Sequence, residues 1–240
     1  MRAIVFAAGR GERMRPLSDS CPKALLPIAD RRIIDWQIDA LARSGFRQIV
    51  VNTAHLAAQF EGAFADSTPT GSTITISREG DTASDALETL GGIVKALTHL
   101  DDGSDEPFLV LSGDIVTDFN YATLSPRAAH LVDNVLDAHF VMVPNPSFHP
   151  RGDLGLSEGI VDRQPPLFTY ANIGLFAPRI FRGEKVCRMK LFPWMYSFID
   201  RGRVSGELFE GLWFNIGTPA DLAEADTFLR KSRAENFQYR

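Results

Sequence analysis

A short apolar segment followed by a long stretch rich in glycine and proline constrains the fold of this 240-residue chain more than any other feature. Residues 3–7 form a continuous apolar run, which is typical of a strand buried on both faces of a parallel sheet. Prolines follow at positions 16, 22 and 27. Because a proline inside a helix costs about 3 kcal/mol, no long helix is expected directly after this strand. We therefore predict a long loop over 9–27, and loops of this length in compact domains usually carry function.

Downstream of this loop, segments with the apolar spacing of helices alternate with short apolar segments typical of strands. In chain order the first half contains a predicted helix over 33–44, strand over 48–52, helix over 56–64, strand over 73–77, helix over 92–100 and strand over 108–112. The second half contains predicted strands over 138–143 and 170–176, a hairpin within 155–162, and helices over 191–201 and 219–231, the last capped by Thr218. This alternation favours an α/β fold with a mostly parallel central sheet. No repeat or linker divides the chain, so we predict a single domain over 1–240.

Charge and cysteine content exclude several kinds of partner. The net charge of −5 and the pI near 5.6 argue against a nucleic-acid binder, which carries a basic excess. No apolar run approaches the roughly 18 residues needed to cross a bilayer, and the apolar start passes straight into charged residues without a signal-peptide cleavage site. Two cysteines suit a reducing compartment. We therefore expect a cytoplasmic protein with no membrane partner, either a monomer or a small homo-oligomer.

The predicted loop concentrates positive charge beside glycines. Gly9 and Gly11 let backbone N–H groups approach a phosphate closely. Four cationic side chains lie in the same segment: Arg10, Arg13, Arg15 and Lys23. Arginine suits bidentate phosphate contact, whereas lysine acts as a mobile point charge. In an acidic chain this cluster is the natural place for an anionic ligand, although solvated arginines on a glycine-rich surface turn would give the same pattern.

Two known phosphate-binding patterns do not fit the loop. A dinucleotide fingerprint requires a glycine where this chain has Met14, and a helix where Pro16 prevents one. A Walker loop requires Gly-Lys followed by Ser or Thr, which is absent here. An NAD-dependent dehydrogenase and a P-loop enzyme are therefore both disfavoured.

The loop as a whole resembles the signature of the sugar-1-phosphate nucleotidylyltransferases. The resemblance lies in two strings, Ala-Ala-Gly-x-Gly-x-Arg-Met-x-Pro-Leu from residue 7 and Pro-Lys-x-Leu-x-Pro from residue 22. It implies a Rossmann-like three-layer α/β/α fold of the nucleotide-diphospho-sugar transferase type, with the loop wrapped around a nucleoside triphosphate. The residues that it implies for nucleotide binding are Ala8, Gly9, Gly11, Glu12, Arg13 and Lys23, of which Arg13 and Lys23 would be catalytic.

A candidate metal ligand follows another predicted strand. Asp114 comes directly after Ser112-Gly113 at the end of that strand, where its carboxylate suits Mg²⁺, although an aspartate after glycine is also common in plain turns. The resemblance implies a metal-ligand role for Asp114 and a second carboxylate in a Trp-x-Asp-x-Gly-Thr stretch. Here Asn215 replaces that aspartate. The replacement is compatible with weaker metal affinity, with a metal held mainly by Asp114 and phosphate oxygens, or with lost activity.

The resemblance also implies residues for the nucleobase and the sugar. Gly91 and Gly92, at the start of a predicted helix, and Glu79 before it point to the nucleobase pocket, although Leu90 stands where the family usually has glycine. Segments 145–153 and 170–174 resemble the branch of the family that acts on N-acetylmuramate 1-phosphate. The residues implied for the sugar are Ser112, Asp153, Asn172 and Lys190, the last meeting the sugar phosphate. The five histidines show no metal-ligand spacing.

The reaction that the resemblance implies is attack by a sugar 1-phosphate oxygen on the α-phosphorus of a nucleoside triphosphate, with release of pyrophosphate. Positioning and charge neutralisation by Arg13, Lys23 and Mg²⁺ would do most of the work. UTP is the favoured nucleotide and UDP-N-acetylmuramate, in cell-wall sugar recycling, the first choice of product. Guanylyl or thymidylyl transfer to mannose, heptose or glucose 1-phosphate is the alternative, and a non-catalytic nucleotide-sugar sensor of the same fold is a second one.

Overall fold

The apolar run at the start of the chain forms an interior strand of a nine-stranded sheet. The computed structural model describes residues 1–65 and 71–234. Its strands are β1 (Arg2–Phe6), β2 (Pro27–Ile28), β3 (Arg31–Arg32), β4 (Gln48–Thr53), β5 (Thr73–Arg78), β6 (Phe108–Ser112), β7 (Ile115–Thr117), β8 (Ala138–Pro144), β9 (Gly155–Ser157), β10 (Ile160–Asp162), β11 (Phe168–Phe176), β12 (Val204–Leu208) and β13 (Trp213–Asn215). Its helices are α1 (Leu17–Ser20), α2 (Ile33–Arg43), α3 (Ala57–Phe64), α4 (Glu88–Leu100), α5 (Ser125–Val132), α6 (Leu191–Trp194), α7 (Tyr196–Ile199) and α8 (Pro219–Ala234).

The strands of the large sheet are ordered β5-β4-β1-β6-β11-β8-β12-β10-β9. The first four run parallel, β11 runs antiparallel to both of its neighbours, and β12 returns parallel to β8. The edge hairpin of β9 and β10 joins the sheet through an antiparallel bridge between β10 and β12. Seven of the nine strands described in this sheet, all but β10 and β11, therefore point in the same direction, and the prediction of a mostly parallel sheet is confirmed.

Helices cover both faces of this sheet. Side chains alternate along β1, so Ala3 and Val5 pack with the apolar faces of α2, α3 and α5, whereas Ile4 packs with α4, α6 and α7 on the opposite face. The helix α8 packs against β13 and the small hairpin of β2 and β3. The predicted three-layer α/β/α arrangement follows from these two separate apolar clusters. Within the described ranges no helix has the length and apolar character needed to span a bilayer.

The predicted helix over 191–201 is wrong in one respect, because the structure divides it into α6 and α7. Phe192 has φ −100° and ψ 134°, outside the helical region. A proline disfavours the helical conformation of the residue before it, and Pro193 follows Phe192 directly. The other predicted elements are present with ends shifted by a few residues, and Thr218 caps α8 as expected, accepting a hydrogen bond of 3.2 Å from the amide of Asp221.

A buried aspartate ties the turn before β8 to two other parts of the chain. Asp137 is 6% exposed. Its carboxylate accepts hydrogen bonds from Arg203 at 2.9 Å and from Arg179 at 3.0 Å. Burial raises the pKa of Asp137, but the hydrogen bonds and charges of Arg203 and Arg179 outweigh it, so the pKa lies below its usual value. The ionised form is therefore the one that the fold stabilises.

Replacement of Asp137 by asparagine is expected to lower the free energy of unfolding at pH 7 by about 2 kcal/mol. This is less than the roughly 3–5 kcal/mol for a fully buried pair, since Arg179 and Arg203 are 20% and 30% exposed. A carboxyl group with a lowered pKa stabilises the fold above its unfolded pKa and loses that effect as the pH falls. The difference between wild type and D137N in urea unfolding should therefore shrink below about pH 4. The exposed Asp133, replaced by asparagine, is the control, and a difference independent of pH would contradict the assignment.

Candidate active site

The carboxyl ends of the parallel strands place several of the predicted residues along one cleft. Phe6, the last residue of β1, pairs in register with Asn52 of β4 on one side and with Ser112 of β6 on the other. The loop after β1 and the turn after β6 therefore leave the sheet side by side. In open α/β sheets this edge is where ligands bind.

Two adjoining cavities occupy this edge. The loop cavity, of about 370 Å³, is lined by the segment from Ala7 to Arg10, by Glu12 and Lys23, and by residues at the ends of β4, β5 and β6. The distal cavity, of about 450 Å³, is lined mainly by residues of β11, of the segment before β9 and of the segment leading into α6. Phe6, Glu88, Thr89 and Ser112 line both cavities, which therefore form one continuous cleft.

The turn at the start of the loop requires glycine at position 11. Gly11 has φ 68° and ψ 51°, in the left-handed region that side chains disfavour. Its carbonyl accepts hydrogen bonds of 2.8 Å from the amide of Met14 and from Ser18 Oγ. A Cβ at this position would lie 3.1 Å from the Cβ of Lys23. The missing side chain therefore allows the two halves of the loop to approach each other and places Lys23 against the turn.

Lys23 and Asp114 lie together although 91 residues separate them in the chain. The ammonium group of Lys23 donates a hydrogen bond to Asp114 Oδ2, and the two side chains are 18% and 22% exposed. Both line the loop cavity. The contact joins the loop after β1 to the turn after β6, so the two residues that the sequence singled out for phosphate and metal binding share one wall.

The arginines of the loop are divided between the cavity and the solvent. Arg10 lines the loop cavity and pairs with Glu12 at 3.3 Å, whereas Arg15 is exposed and pairs with Asp19 at 2.9 Å. Arg13 is exposed and lines neither cavity. Its guanidinium lies beside Gly217, where an added Cβ would be 2.9 Å from Nη2. The triphosphate contact expected of Arg13 therefore remains a prediction that the geometry does not support directly.

Glu79 braces the wall of the loop cavity. One carboxylate oxygen accepts a hydrogen bond of 2.7 Å from Asn52 Nδ2, and the other accepts one of 2.7 Å from the amide of Leu87. Burial raises the pKa of Glu79, and these two hydrogen bonds oppose the rise. Asn52 also accepts a hydrogen bond of 2.7 Å from the amide of Ala7, so it connects the loop to Glu79. Asn52 was not predicted from the sequence, in which its one signal is a polar residue at the end of an apolar strand.

Gly91 and Gly92 lie behind this wall and line neither cavity. A Cβ on Gly91 would fall 2.0 Å from the carbonyl oxygen of Cys187, and one on Gly92 would fall 2.5 Å from Glu79 Oε1. The two glycines allow α4 to pack closely against the segment before α6 and against Glu79. The structure thus shows a packing role for these glycines, and their predicted contact with a nucleobase remains a prediction.

Asp114 and Asn215 are neighbours through the pairing of β7 with β13. Ile115 pairs with Asn215, and the amide of Ile216 donates a hydrogen bond of 2.9 Å to the carbonyl of Asp114. Over residues 1–65 and 71–234 no group of three or more His, Cys, Asp or Glu side chains could hold a metal ion. One carboxylate and one amide carbonyl are nonetheless oxygen ligands, and Mg²⁺ is often bound by one or two carboxylates together with substrate phosphates. Asp114 lines the loop cavity and Asn215 lines the distal cavity, so the donor types fit a Mg²⁺ ion that takes its remaining ligands from a nucleotide, although no contact joins the two side chains in the described ranges.

The residues predicted for the sugar all line the distal cavity, namely Ser112, Asp153, Asn172 and Lys190. Asn172 has φ 58° and lies in a register shift of β11 between Tyr170 and Gly174. A bulge of this kind redirects a side chain. The indole of Trp213 stabilises the bulge by donating a hydrogen bond of 3.0 Å to the backbone carbonyl of Ala171. Several other polar and aromatic residues of this wall had no role predicted from the sequence, among them Phe148, His149, Thr169, Tyr170, Phe192, Tyr196 and Trp213.

Two solved structures share the fold of this chain. The structure of HddC from Yersinia pseudotuberculosis superposes with a TM-score of 0.75 at 17% identity, over 95% of this chain and 99% of that one. UDP-glucose pyrophosphorylase complexed with UDP-glucose superposes with a TM-score of 0.74 at 16% identity, over 97% and 99% of the two chains. The chain therefore has the same fold as these two proteins.

Sequence comparison gives the family. The nucleotidyl transferase family model matches residues 2–149. N-acetylmuramate alpha-1-phosphate uridylyltransferases from Neisseria meningitidis serogroup B and Caulobacter vibrioides are 38% and 30% identical, over 94% and 96% of this chain and over 96% and 97% of their own lengths. The mannose-1-phosphate guanylyltransferase catalytic subunit beta of Danio rerio is 26% identical over 92% of this chain and 62% of its own length. The chain belongs to the nucleotidyl transferase family, and the prediction of a sugar-1-phosphate nucleotidyltransferase is confirmed.

Proposed function

We propose that this enzyme transfers a uridylyl group from UTP to N-acetylmuramate 1-phosphate, forming UDP-N-acetylmuramate and pyrophosphate. The observation that carries the proposal is the alignment with the Neisseria meningitidis uridylyltransferase, which is 38% identical over nearly the full length of both chains. The guanylyltransferase of Danio rerio is less similar and aligns over 62% of its own length. The joined cavities support the same reaction, because a nucleotide in one and a sugar phosphate in the other would meet beside Ser112.

The chemistry assigned to the cleft is positioning and charge neutralisation. Lys23 holds the α-phosphate of the nucleotide, and Lys190 holds the sugar phosphate, whose ionised oxygen attacks without a general base. Asp114 and Asn215 would hold Mg²⁺, which would supply positive charge to the triphosphate. The contact of Arg13 with the departing pyrophosphate rests on the family resemblance alone, since its guanidinium lies beside Gly217 and lines neither cavity. As the attacking oxygen bonds to the α-phosphorus, the bond between the α-phosphorus and the oxygen that bridges to the β-phosphate breaks. Pyrophosphate leaves with the electron pair of that bond.

The proposal extends to the surroundings in which the enzyme works. Cys21 and Cys187 are both free thiols, as expected in a reducing compartment, and we place the enzyme in the cytoplasm. There it acts on cell-wall sugar that is being recycled, as a single domain, alone or in a small homo-oligomer. Its product is a nucleotide sugar bearing a carboxylate on the sugar.

A substrate matrix tests the proposal. We expect kcat/KM for UTP with N-acetylmuramate 1-phosphate to exceed that of every other pair by at least about tenfold, which corresponds to roughly 1.4 kcal/mol of transition-state discrimination. The measurement is pyrophosphate release with Mg²⁺, using UTP, GTP, dTTP and CTP against the 1-phosphates of N-acetylmuramate, N-acetylglucosamine, mannose and glucose. A higher kcat/KM for GTP with mannose 1-phosphate would replace the proposal by the guanylyl alternative. Calorimetric binding without pyrophosphate release would indicate a sensor.

A further inference from the structure

The acceptor named in the proposed function carries an unusual pair of charges, and the inference below rests on that function. N-acetylmuramate 1-phosphate has its phosphate at C1 and an ionised carboxylate on the lactyl group at O3. Hexosamine 1-phosphates without a lactyl group share the phosphate but lack the carboxylate. A cavity that distinguishes the two therefore needs a donor or cation for the carboxylate in addition to the one that holds the phosphate.

The distal cavity contains two basic and two acidic side chains among the described residues that line it. Lys190 and His149 are the basic ones, and Glu88 and Asp153 are the acidic ones. Glu88 pairs with Arg188 at 3.3 Å, whereas Lys190 has no ion-pair partner in the described ranges. If Lys190 meets the phosphate, His149 is the remaining basic group in this wall. Without it, the carboxylate of Asp153 would repel a second carboxylate.

The geometry of His149 suits contact with an anion. Its ring nitrogen Nε2 lies 2.9 Å from Asp153 Oδ1, and the other oxygen of Asp153 accepts a hydrogen bond of 3.0 Å from the amide of Tyr170. Asp153 is thus fixed to β11 and in turn orients the imidazole. Nδ1 of His149 has no hydrogen-bond partner in the parts of the chain that the structure describes, and the side chain is 38% exposed. In its imidazolium form the ring donates from both nitrogens, which leaves Nδ1 for a ligand.

The backbone around His149 holds the side chain in the wall. The amide of His149 donates a hydrogen bond of 2.8 Å to the carbonyl of Pro146, and its carbonyl accepts one of 3.2 Å from the amide of Gly152. These contacts close a tight turn between β8 and β9. The turn presents His149 and Asp153, four residues apart, to the same cavity.

We propose that His149, held by Asp153, is the residue that selects an acidic sugar 1-phosphate by receiving the lactyl carboxylate of the acceptor. The carboxylates of Asp153 and of the ligand then lie on opposite sides of one imidazolium ring. Asp153 acts as the positioning residue, and the specificity lies in the hydrogen bond that Nδ1 of His149 donates to the lactyl carboxylate. The phosphate-binding and nucleotide-binding groups are not part of this selection.

The test uses a matched pair of acceptors, N-acetylmuramate 1-phosphate and its lactyl carboxamide, each with UTP. We expect wild type to show a KM for the acid about 10- to 100-fold below that for the carboxamide, the range of a charge-assisted hydrogen bond. His149→Gln is expected to remove this preference by raising the KM for the acid, while the KM for the carboxamide changes less than about twofold and kcat less than about threefold. His149→Arg, which keeps a cation, is expected to retain most of the preference.

His130 provides the control, since its side chain is exposed on α5 and lines neither cavity. His130→Gln should leave both KM values unchanged. Equal KM values for acid and carboxamide in wild type, or an equal rise of both in His149→Gln, would overturn the inference while leaving the proposed function intact. Absence of any turnover of the acid by wild type, with activity on another sugar 1-phosphate, would instead contradict the proposed function.

Discussion

Replacement of Lys23 by alanine is expected to reduce kcat by about 10²- to 10³-fold, the range seen when one preorganised donor is removed from a charged transition state. Lys23 is 18% exposed, lies against Gly11 and faces the carboxylate of Asp114, so its ammonium group is held in place before a nucleotide binds. A group held in this way loses little entropy at the moment of reaction. The measurement is pyrophosphate release at saturating UTP and sugar 1-phosphate.

Two further variants separate a role in the reaction from a general loss of positive charge. Lys23→Arg keeps the charge, but the planar guanidinium is larger and cannot occupy the same point beside Asp114. We therefore expect it to retain at most a tenth of the wild-type kcat, which corresponds to an activation free energy at least about 1.4 kcal/mol higher. Arg15→Ala removes an exposed cation of the same loop that pairs with Asp19 and lines neither cavity. It should retain nearly full activity. Near-normal pyrophosphate release by Lys23→Ala would remove Lys23 from the site.

The loop and its partner show how much of the site could be predicted from the sequence. Prolines have strong local effects on the backbone, so the absence of a long helix over 9–27 follows from residue types alone. Lys23 and Asp114 each follow a recognisable strand or motif, and parallel strands bring their carboxyl ends to one edge. A local rule and a topological rule therefore account for the position of these two residues, whereas the roles expected of them come from the family resemblance.

Other parts depended on long-range packing that residue types do not encode. β11 runs antiparallel between β6 and β8, and its composition does not differ from that of a parallel strand. Arg13 has the same loop environment in the sequence as Arg10, but its side chain lies beside Gly217 of the distant β13–α8 connection. The sequence indicates a contact of Glu79 with a nucleobase, whereas in the structure both of its carboxylate oxygens accept hydrogen bonds from the protein. The direction of β11 and the directions of the Arg13 and Glu79 side chains are decided by contacts with residues elsewhere in the chain.

The second replacement with a large expected effect is at the candidate metal site. There the pairing of β7 with β13 brings the backbones of Asp114, which has a carboxylate, and Asn215, which has a neutral amide, close together. Asp114→Asn is expected to lower kcat by about 10²- to 10³-fold at ordinary Mg²⁺ concentrations. It should also raise the Mg²⁺ concentration for half-maximal rate at least about tenfold, because the ion then has only neutral protein ligands. The measurement is the rate of pyrophosphate release against free Mg²⁺ at fixed, saturating nucleotide.

The reciprocal variant makes this assignment testable in the opposite direction. Asn215→Asp adds a carboxylate on β13, opposite the residue that follows Asp114. We expect it to lower the Mg²⁺ concentration for half-maximal rate by about three- to tenfold, since affinity for a hard cation rises with ligand charge. Asp133→Asn, an exposed aspartate outside both cavities, should leave the Mg²⁺ dependence unchanged. A Mg²⁺ dependence that is the same in wild type, Asp114→Asn and Asn215→Asp would show that neither side chain binds the metal. Opposite shifts in the two variants would show that the asparagine at 215 weakens the hold on Mg²⁺ without removing it, because the triphosphate supplies the ligands that the protein lacks.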